Sequence, residues 1–218
     1  MKTRDRILAT SLLLFNEEGE PNVTTVDISN EMNISPGNLY YHFKGKEAII
    51  EELFADFERE ISSILNAPLQ KALSVEDSWF YLYVVFEEIY NFRFFYQNLT
   101  NILHRYDSIN RRFKRLMQLK SRTVEVLLLA VKEHGILEIA PAEMQQLRDS
   151  ITLTLTYWLT YSDLKGQHYS PPVSIHKGVF QIVHLMVPYL TEEYAHVYRE
   201  CKALYEQAMA ELDETCPT

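Results

Sequence analysis

Residues 24–46 read TTVDISNEMNISPGNLYYHFKGK, and this stretch decides how the start of the chain folds. The two threonines at its beginning offer hydroxyls for a helix N-terminus, and Ile28 and Met32 lie four residues apart, on one face of that helix. Asn33 follows, and asparagine is one of the few residue types that adopts a positive φ at little cost. The pattern therefore predicts a short helix from Thr24 that ends in a tight turn.

A second short helix is predicted directly after this turn. Ser35 can cap its N-terminus, and Pro36 suits the first helical position, where no N–H is needed. Gly37 and Asn38 are small, so the backbone N–H groups at this end stay open to a phosphate or a base edge.

The second helix has an apolar side and a polar side. Leu39 and Phe43 are spaced to anchor it inward, and Tyr40, Tyr41 and His42 cannot all point inward with them. Two short helices with this arrangement form a helix-turn-helix, whose second helix lies in the major groove of DNA.

Residues 35–46 resemble the recurring signature of the DNA-binding domain of the tetracycline-repressor (TetR) family of bacterial regulators. The preceding apolar helix at residues 4–17 and the two threonines are also similar, so the resemblance covers about the first quarter of the chain. An alanine and a glycine are common in the family where Ser29 and Asn33 stand here. Serine packs easily and asparagine can still turn, so we expect the same fold.

The resemblance implies a set of DNA-contacting residues in this chain. We expect Gly37 and Asn38 to approach base edges, with Asn38 able to pair with an adenine. The other expected contacts hold mainly the phosphate backbone, although packing between helices is an alternative for either tyrosine. The full predicted set is Thr25, Ser35, Pro36, Gly37, Asn38, Tyr40, Tyr41, His42 and Lys46.

Length and composition fit this resemblance, which implies an all-α protein with two parts: a helix-turn-helix DNA-binding domain at residues 1–46 and a larger helical domain at residues 47–218. Hydrophobic residues make up 47% of the 218 residues, which is enough for a sizeable core. Beyond the helix-turn-helix, apolar spacing predicts helices at residues 46–66, 74–95, 99–104, 108–134, 142–164, 173–190 and 191–213, with a loop at residues 169–172.

Charge does not by itself suggest a nucleic-acid-binding protein. The chain has a net charge of −9, and its first fifty residues hold five Lys/Arg against seven Asp/Glu. The usual basic footprint is thus missing. We expect weak non-specific DNA affinity that depends strongly on salt.

The sequence contains no signal peptide and no apolar stretch long enough to cross a membrane, so we expect a cytoplasmic protein without membrane contact. Cys201 and Cys216 are expected to stay reduced. Enzyme signatures such as GxGxxG, GxSxG and HExxH are missing, which predicts no catalytic residues and no cofactor. Glu193 and His196 have the spacing of a helical metal site, but a second copy is absent, and a helix face is the better interpretation.

Aromatic residues crowd the segment from Trp79 to Tyr96, which places it inside its domain. Core packing is one interpretation, and a ligand pocket is the other, since pockets are lined by aromatic rings with a few polar tips. The predicted pocket walls share one helix face and are Trp79, Tyr83, Phe86 and Tyr90.

Residues 93–132 carry nine Lys/Arg against two Asp/Glu. One interpretation is a solvated face that pairs with the acidic helix at residues 51–60. In the functional interpretation they form a basic rim for a small effector with an apolar body and an anionic head, which Arg122 would meet if its helix turns inward.

The resemblance implies a homodimeric repressor that binds a palindromic operator in double-stranded DNA and is released by a small effector. The broad apolar faces of two late helices predict a two-fold four-helix bundle at the dimer contact, and burial within one chain is the alternative. These faces hold Leu147, Ile151, Leu155, Trp158 and Leu159 on one helix, and Val179, Ile182, Val183 and Met186 on the other. A different class remains open, an all-α ligand-binding or enzymatic protein with a vestigial helix-turn-helix.

Overall fold

The computed structural model describes residues 2–67, 75–166, 170–196, 198–199, 202 and 205–206. In these residues the regular structure is helical, and the all-α prediction is confirmed. The helices are α1 Thr3–Glu18, α2 Thr25–Glu31, α3 Pro36–His42, α4 Lys46–Leu65, α5 Val75–Asn91, α6 Arg93–Gln97, α7 Leu99–Arg105, α8 Asp107–Glu133, α9 Pro141–Leu164 and α10 Pro171–Met186, with 3₁₀ turns at Glu20–Asn22 and Val187–Tyr189.

The chain divides into two compact units. The first unit comprises Met1–Ser63 and Asn91–Leu116, and the second comprises Ile64–Tyr90 and Met117–Thr218. The predicted start of a helix at residue 74, the predicted loop residue 169, both cysteines and the predicted helix end at residues 207–213 lie outside the described residues.

The local signals at α2 and α3 are confirmed in the first unit. The Thr24 hydroxyl accepts the Asp27 N–H at 3.2 Å, and the Asp27 carboxylate accepts the Thr24 N–H at 2.8 Å, which forms a capping box. The Thr24 hydroxyl also donates to the Asp27 carboxylate at 2.6 Å, and this bond, together with the one from the Thr24 N–H, lowers the pKa of Asp27. The Ser35 hydroxyl accepts the Asn38 N–H at 3.2 Å. Between the two helices Asn33 has φ of 54°, as the turn requires.

The two departures from the family pattern fit the fold. Ser29 is fully buried, and its hydroxyl donates to the Thr25 carbonyl at 2.7 Å, so the extra oxygen is satisfied within its own helix. Asn33 takes the left-handed conformation in place of glycine. Neither residue changes the arrangement of α2 and α3.

An aromatic core fills the first unit beneath the helix-turn-helix. The Phe15 and Phe94 ring centroids lie 5.3 Å apart, and Phe54 meets Phe95 edge to face, also at 5.3 Å. Edge-to-face contacts of this kind add to the burial of apolar area. The crowded aromatic segment thus serves core packing in its later half.

The prediction of one continuous helix at residues 74–95 is wrong. The backbone leaves helical geometry at Phe92, which separates α5 from α6. The Asn16 side chain bridges the break: its amide nitrogen donates to the Asn91 carbonyl at 2.8 Å, and its oxygen accepts the Phe94 N–H at 3.1 Å. These two bonds satisfy backbone groups that an unbroken helix would pair internally.

In the second unit, α9 and α10 pack against each other and against α5. The Trp158 indole donates to the Ser174 carbonyl at 3.1 Å. A Cβ on Gly178 would lie 2.9 Å from both Phe86 and Trp158, so only glycine permits this close approach.

Helix α10 differs from its prediction at both ends. The predicted loop includes Pro171 and Pro172, but the helix already begins at Pro171, because proline tolerates the first helical turn. After Met186 the chain tightens into a 3₁₀ turn that contains Pro188, which lacks the N–H needed to continue the helix.

Candidate functional site

Helix α3 presents the predicted inner and outer sides. Leu39 and Phe43 are buried, as expected for its anchor residues. Tyr40 is 57% exposed and Tyr41 is 77% exposed, so packing between helices does not account for either ring. The Lys44 ammonium lies 4.6 Å from the Tyr40 ring centroid, which adds a positive charge to the exposed side.

The N-terminal turn of α3 is open. Ser35, Pro36, Gly37 and Asn38 are all exposed. A Cβ built on Gly37 would find only the Ser35 hydroxyl within 4 Å, at 3.9 Å, so the fold itself does not require glycine here. The absence of a side chain at this position leaves the helix backbone accessible from outside.

The remaining predicted DNA contacts occupy mixed environments. Thr25 and His42 are half-buried, and the Tyr41 and His42 rings meet edge to face at 5.2 Å. Thr25, at the start of α2, and the outer side of α3 all belong to the first unit.

Lys46 lies on the inward side of this unit. Its ammonium is 2.9 Å from the Glu20 carboxylate, and it also donates to the Glu20 backbone carbonyl. The Arg105 guanidinium lies 3.7 Å and the Tyr106 hydroxyl 3.5 Å from the same carboxylate. Burial and the Glu20 charge raise the pKa of Tyr106 to about 12.

Glu20 was not singled out by the sequence, because a glutamate beside Gly19 in a short connection has the pattern of a solvated loop. Its neighbours in space, Lys46 and Arg105, are distant in sequence. The 26-residue separation from Lys46 carries no periodic signal that would have revealed the pair.

Part of the basic segment pairs with the acidic helix α4, as one interpretation predicted. The Arg112 guanidinium lies 2.7 Å from Glu58 and 3.5 Å from Glu51, and it stacks on the Phe54 ring at 4.9 Å. Arg112 therefore serves the structure of the first unit.

In the later part of the basic segment, one charged side chain is exposed and another is buried. Arg122 is exposed on α8, so the inward orientation required for its predicted contact with an effector head is not met. Lys120, two residues earlier, is fully buried, and desolvation lowers its pKa to about 7.

The predicted pocket residues of α5 gather against α10 in the second unit. Trp79 and Tyr83 lie 6.2 Å and 5.0 Å from the ring of His176, and Phe86 contacts Gly178. Tyr90 is half-buried on the same helix. His176 was missed because a single histidine without ligand spacing resembles an ordinary surface residue.

The aromatic row continues along α10. The Phe180 ring stacks on Tyr205 at 4.5 Å, and Tyr205 lies 5.5 Å from Trp79. His184 Nδ1 lies 3.0 Å from the Tyr198 hydroxyl. Burial lowers the pKa of His176, so its imidazole is neutral at physiological pH.

The apolar faces predicted for the dimer contact are buried within the single chain at most positions. Leu147, Ile151, Leu155, Trp158, Leu159, Val179 and Ile182 are all buried. Helix α9 has a second apolar row instead, which is exposed and comprises Leu153, Tyr157, Tyr161 and Leu164. The alternative interpretation, burial within one chain, therefore holds at these positions.

The described residues hold neither a metal-binding cluster nor a membrane-spanning helix. There, His, Cys, Asp and Glu side chains form no group of three or more that could hold a metal ion. Within the same part of the chain, every helix is too short or too polar to span a bilayer.

Comparison with known families decides what kind of protein carries this site. A family model described as bacterial regulatory proteins of the tetR family matches residues 7–53, and a TetR model described as bacterial transcriptional repressor matches residues 56–198. The chain belongs to the TetR family. As a TetR-family member it is a ligand-responsive transcriptional regulator, and the alternative of a vestigial helix-turn-helix is not favoured.

Solved structures and curated relatives agree with TetR membership. A TetR-family regulator from Marinobacter aquaeolei is 32% identical, with a TM-score of 0.85, over 94% of this chain and 99% of that chain. The probable HTH-type regulator YttP from Bacillus subtilis is 23% identical over 73% of this chain and 72% of YttP. The ketosteroid regulator KstR2 of Mycobacterium tuberculosis is 19% identical with a TM-score of 0.62, over 88% of this chain and 96% of that chain, and shares the fold.

Proposed function

We propose that this TetR-family protein is a repressor that binds a palindromic operator as a homodimer and dissociates when a small effector binds. Residues 1–46 form the DNA-binding part in this proposal, and residues 47–218 form the effector-binding and dimerisation part. The open N-terminal turn of α3 is the observation that carries the proposal, because an exposed, side-chain-free position at Gly37 suits close approach to DNA.

The proposed contacts follow from the exposed side of α3. Gly37 and Asn38 lie at the end of the helix that enters a groove first, and the exposed Asn38 amide can pair with the N6 and N7 atoms of adenine. Tyr40 and Tyr41 lie further along the exposed side, where hydroxyls reach phosphate oxygens.

Three of the proposed phosphate contacts are only partly exposed. Thr25 and His42 are half-buried and remain proposed phosphate contacts. Lys46 is held by Glu20, so a role at phosphate would require its ammonium to serve DNA and the carboxylate together. The exposed Lys44 is the simpler source of positive charge beside α3.

Homodimerisation is proposed through the exposed apolar row of α9. Leu153, Tyr157, Tyr161 and Leu164 recur at spacings of four, four and three residues, which places them along one side of the helix. Burying this row against its copy in a second chain is the symmetric solution. A two-fold dimer would place two α3 helices on the two halves of a palindrome.

The effector is proposed to bind the second unit beside α5 and α10. Aromatic walls with a small number of polar groups are typical of small-molecule sites. An effector lowers DNA affinity only by its differential affinity for the DNA-binding and released arrangements. The released arrangement must therefore fit the effector better.

A gel-shift titration with the DNA upstream of the protein's own gene tests the proposal. We expect a shifted complex that weakens steeply as salt rises, because phosphate contacts release counterions. Equal affinity for this DNA and for a scrambled duplex of the same length would contradict it. Loss of the complex on adding cell metabolite extract, without loss of folded protein, would support an effector-released repressor.

A further inference from the structure

We infer that the effector of this chain is an uncharged molecule with a flat apolar body and a hydroxyl group, recognised by His176 and Ser162. The inference rests on the proposed function, because it names the class of effector that the second unit takes. Two buried polar atoms carry it.

The first atom is Nδ1 of His176 on α10. It is inaccessible to solvent, and no hydrogen-bond partner for it occurs among the described residues. The ring itself is only half-buried and lies against Trp79 and Tyr83, both of which are half-buried as well. The imidazole therefore borders a partly open aromatic surface rather than a closed core.

The second atom is the hydroxyl oxygen of Ser162 on α9. The side chain is 3% exposed, and within the part of the chain that the structure describes, its oxygen has no hydrogen-bond partner. Ser162 lies one helical turn after Trp158, which contacts Gly178 and hydrogen-bonds to Ser174. Both unpartnered atoms thus belong to the α9–α10 pair.

Buried polar atoms in folded proteins almost always have partners, and each unpartnered one destabilises the fold. A bound molecule that hydrogen-bonds to such an atom removes this destabilisation. The free energy recovered in this way adds to the binding affinity of the molecule. A hydroxyl both donates and accepts, so it suits either tautomer of His176 and either role of the serine. The flanking tryptophan and tyrosine rings favour a flat apolar body.

The charges described in the second unit argue against an anionic effector. Burial keeps His176 neutral, and Arg122 is exposed on α8. The buried Lys120 has an interaction of its own within the chain. Neither Arg122 nor Lys120 is therefore placed to pair with an anionic head. Such a head would lose its hydration on binding without compensation from these cations, which disfavours binding.

Calorimetric titration with three matched probes tests the inference: para-propylphenol, para-propylbenzoate and para-propylbenzylamine, which are neutral, anionic and cationic at pH 7. We expect the phenol to bind at least about tenfold more tightly than either ion. No heat of binding with the phenol, or tighter binding of an ion, would overturn the inference.

Variants then assign the polar contacts. His176→Phe keeps a ring but removes the nitrogen, and should weaken phenol binding about fivefold to tenfold. His176→Asn places an amide near the Nδ1 position and should recover most of the loss. Ser162→Ala tests the second contact independently. His134→Phe, an exposed histidine of the same unit, serves as the control.

The outcomes separate this inference from the proposed function. Unchanged phenol affinity in both His176→Phe and Ser162→Ala would show that the phenol binds elsewhere or that water fills the site, and it would overturn the inference. Specific operator binding in the same preparation would leave the repressor assignment intact. Absence of operator binding would instead contradict the proposed function, whatever the phenol does.

Discussion

The ammonium of Lys46, the first residue of α4, lies 2.9 Å from the carboxylate of Glu20, whose side chain is only 3% exposed. This pair joins the connection after α1 to the segment that follows α3. Arg105 and Tyr106 reach the same carboxylate from the junction of α7 and α8. One buried charge therefore links the helix-turn-helix to the rest of the first unit.

Removing one partner of this pair should destabilise the protein. We predict that Lys46→Met lowers the free energy of unfolding by about 3 kcal/mol, because it leaves a buried carboxylate short of its closest cation. The double variant Lys46→Met/Glu20→Gln should recover part of the loss, since no unpaired buried charge remains. Urea denaturation followed by circular dichroism measures both.

The exposed Lys44→Met provides the control and should change stability by less than about 0.5 kcal/mol. Equal stability of Lys46→Met and Lys44→Met would contradict a structural role for the pair. If Lys46 also holds a phosphate, its variant should flatten the salt dependence of DNA binding by about one unit, beyond the effect of stability.

Gly37→Ala should separate folding from DNA binding. The added methyl group meets only the Ser35 hydroxyl at 3.9 Å, and alanine favours a helix, so stability should stay equal or rise by up to about 1 kcal/mol. Operator affinity should fall, because the methyl group stands where the backbone approaches DNA. Thermal melts and fluorescence anisotropy measure the two effects, and unchanged affinity would place Gly37 away from the DNA surface.

Tyr157→Arg should disrupt the proposed dimer. It places a charge in the exposed apolar row of α9 and should shift the protein toward a monomer near 25.6 kDa. Light scattering after size exclusion measures the mass. Leu13→Arg, an exposed apolar position of α1, should leave the mass unchanged. A monomeric wild-type protein at micromolar concentration would contradict the dimer and the palindromic operator.

Stability should rise with pH between pH 7 and about 10 because of Lys120. Burial lowers its pKa from 10.5 to about 7, so in this window the unfolded chain holds a proton that the folded chain lacks. The contribution to the free energy of unfolding then increases with pH, by at most about 1.4 kcal/mol per unit. Tyr81 and Tyr106, with pKa values raised to about 12, stay protonated there in the folded state.

Lys120→Met supplies the comparison for this slope. The variant should be more stable than the wild-type protein at pH 7, and the difference between the two should shrink as the pH rises. Urea denaturation at three pH values measures it. A constant difference across the window would show that Lys120 stays protonated in the folded protein.

The sequence predicted α2 and α3 well because their signals are local. Thr24, Asn33, Ser35 and Pro36 act on backbone groups within a few residues, so cap, turn and helix start can be inferred without knowing the rest of the fold. The buried side of α3 follows from the four-residue spacing of its apolar anchors.

Features that depend on distant partners could not be predicted. The break at Phe92 is held by Asn16, which lies more than seventy residues earlier. Apolar spacing also could not say which side of α9 the chain itself covers, since both sides are apolar. Apolar spacing also does not show that Lys120 is buried while Arg122 is exposed, or that His176 lies beside Trp79 and Tyr83.

Selection of DNA from a random-sequence library, repeated with Asn38→Ala, tests the central claim most directly. We predict that the wild-type protein enriches a palindrome, and that Asn38→Ala relaxes preference at one symmetric adenine position by about 1–3 kcal/mol. Asn30→Ala, an exposed asparagine of α2, should keep the wild-type preference. Identical base preferences for Asn38→Ala and the wild-type protein, or no enriched sequence at all, would contradict the assignment of α3 as the helix that reads DNA.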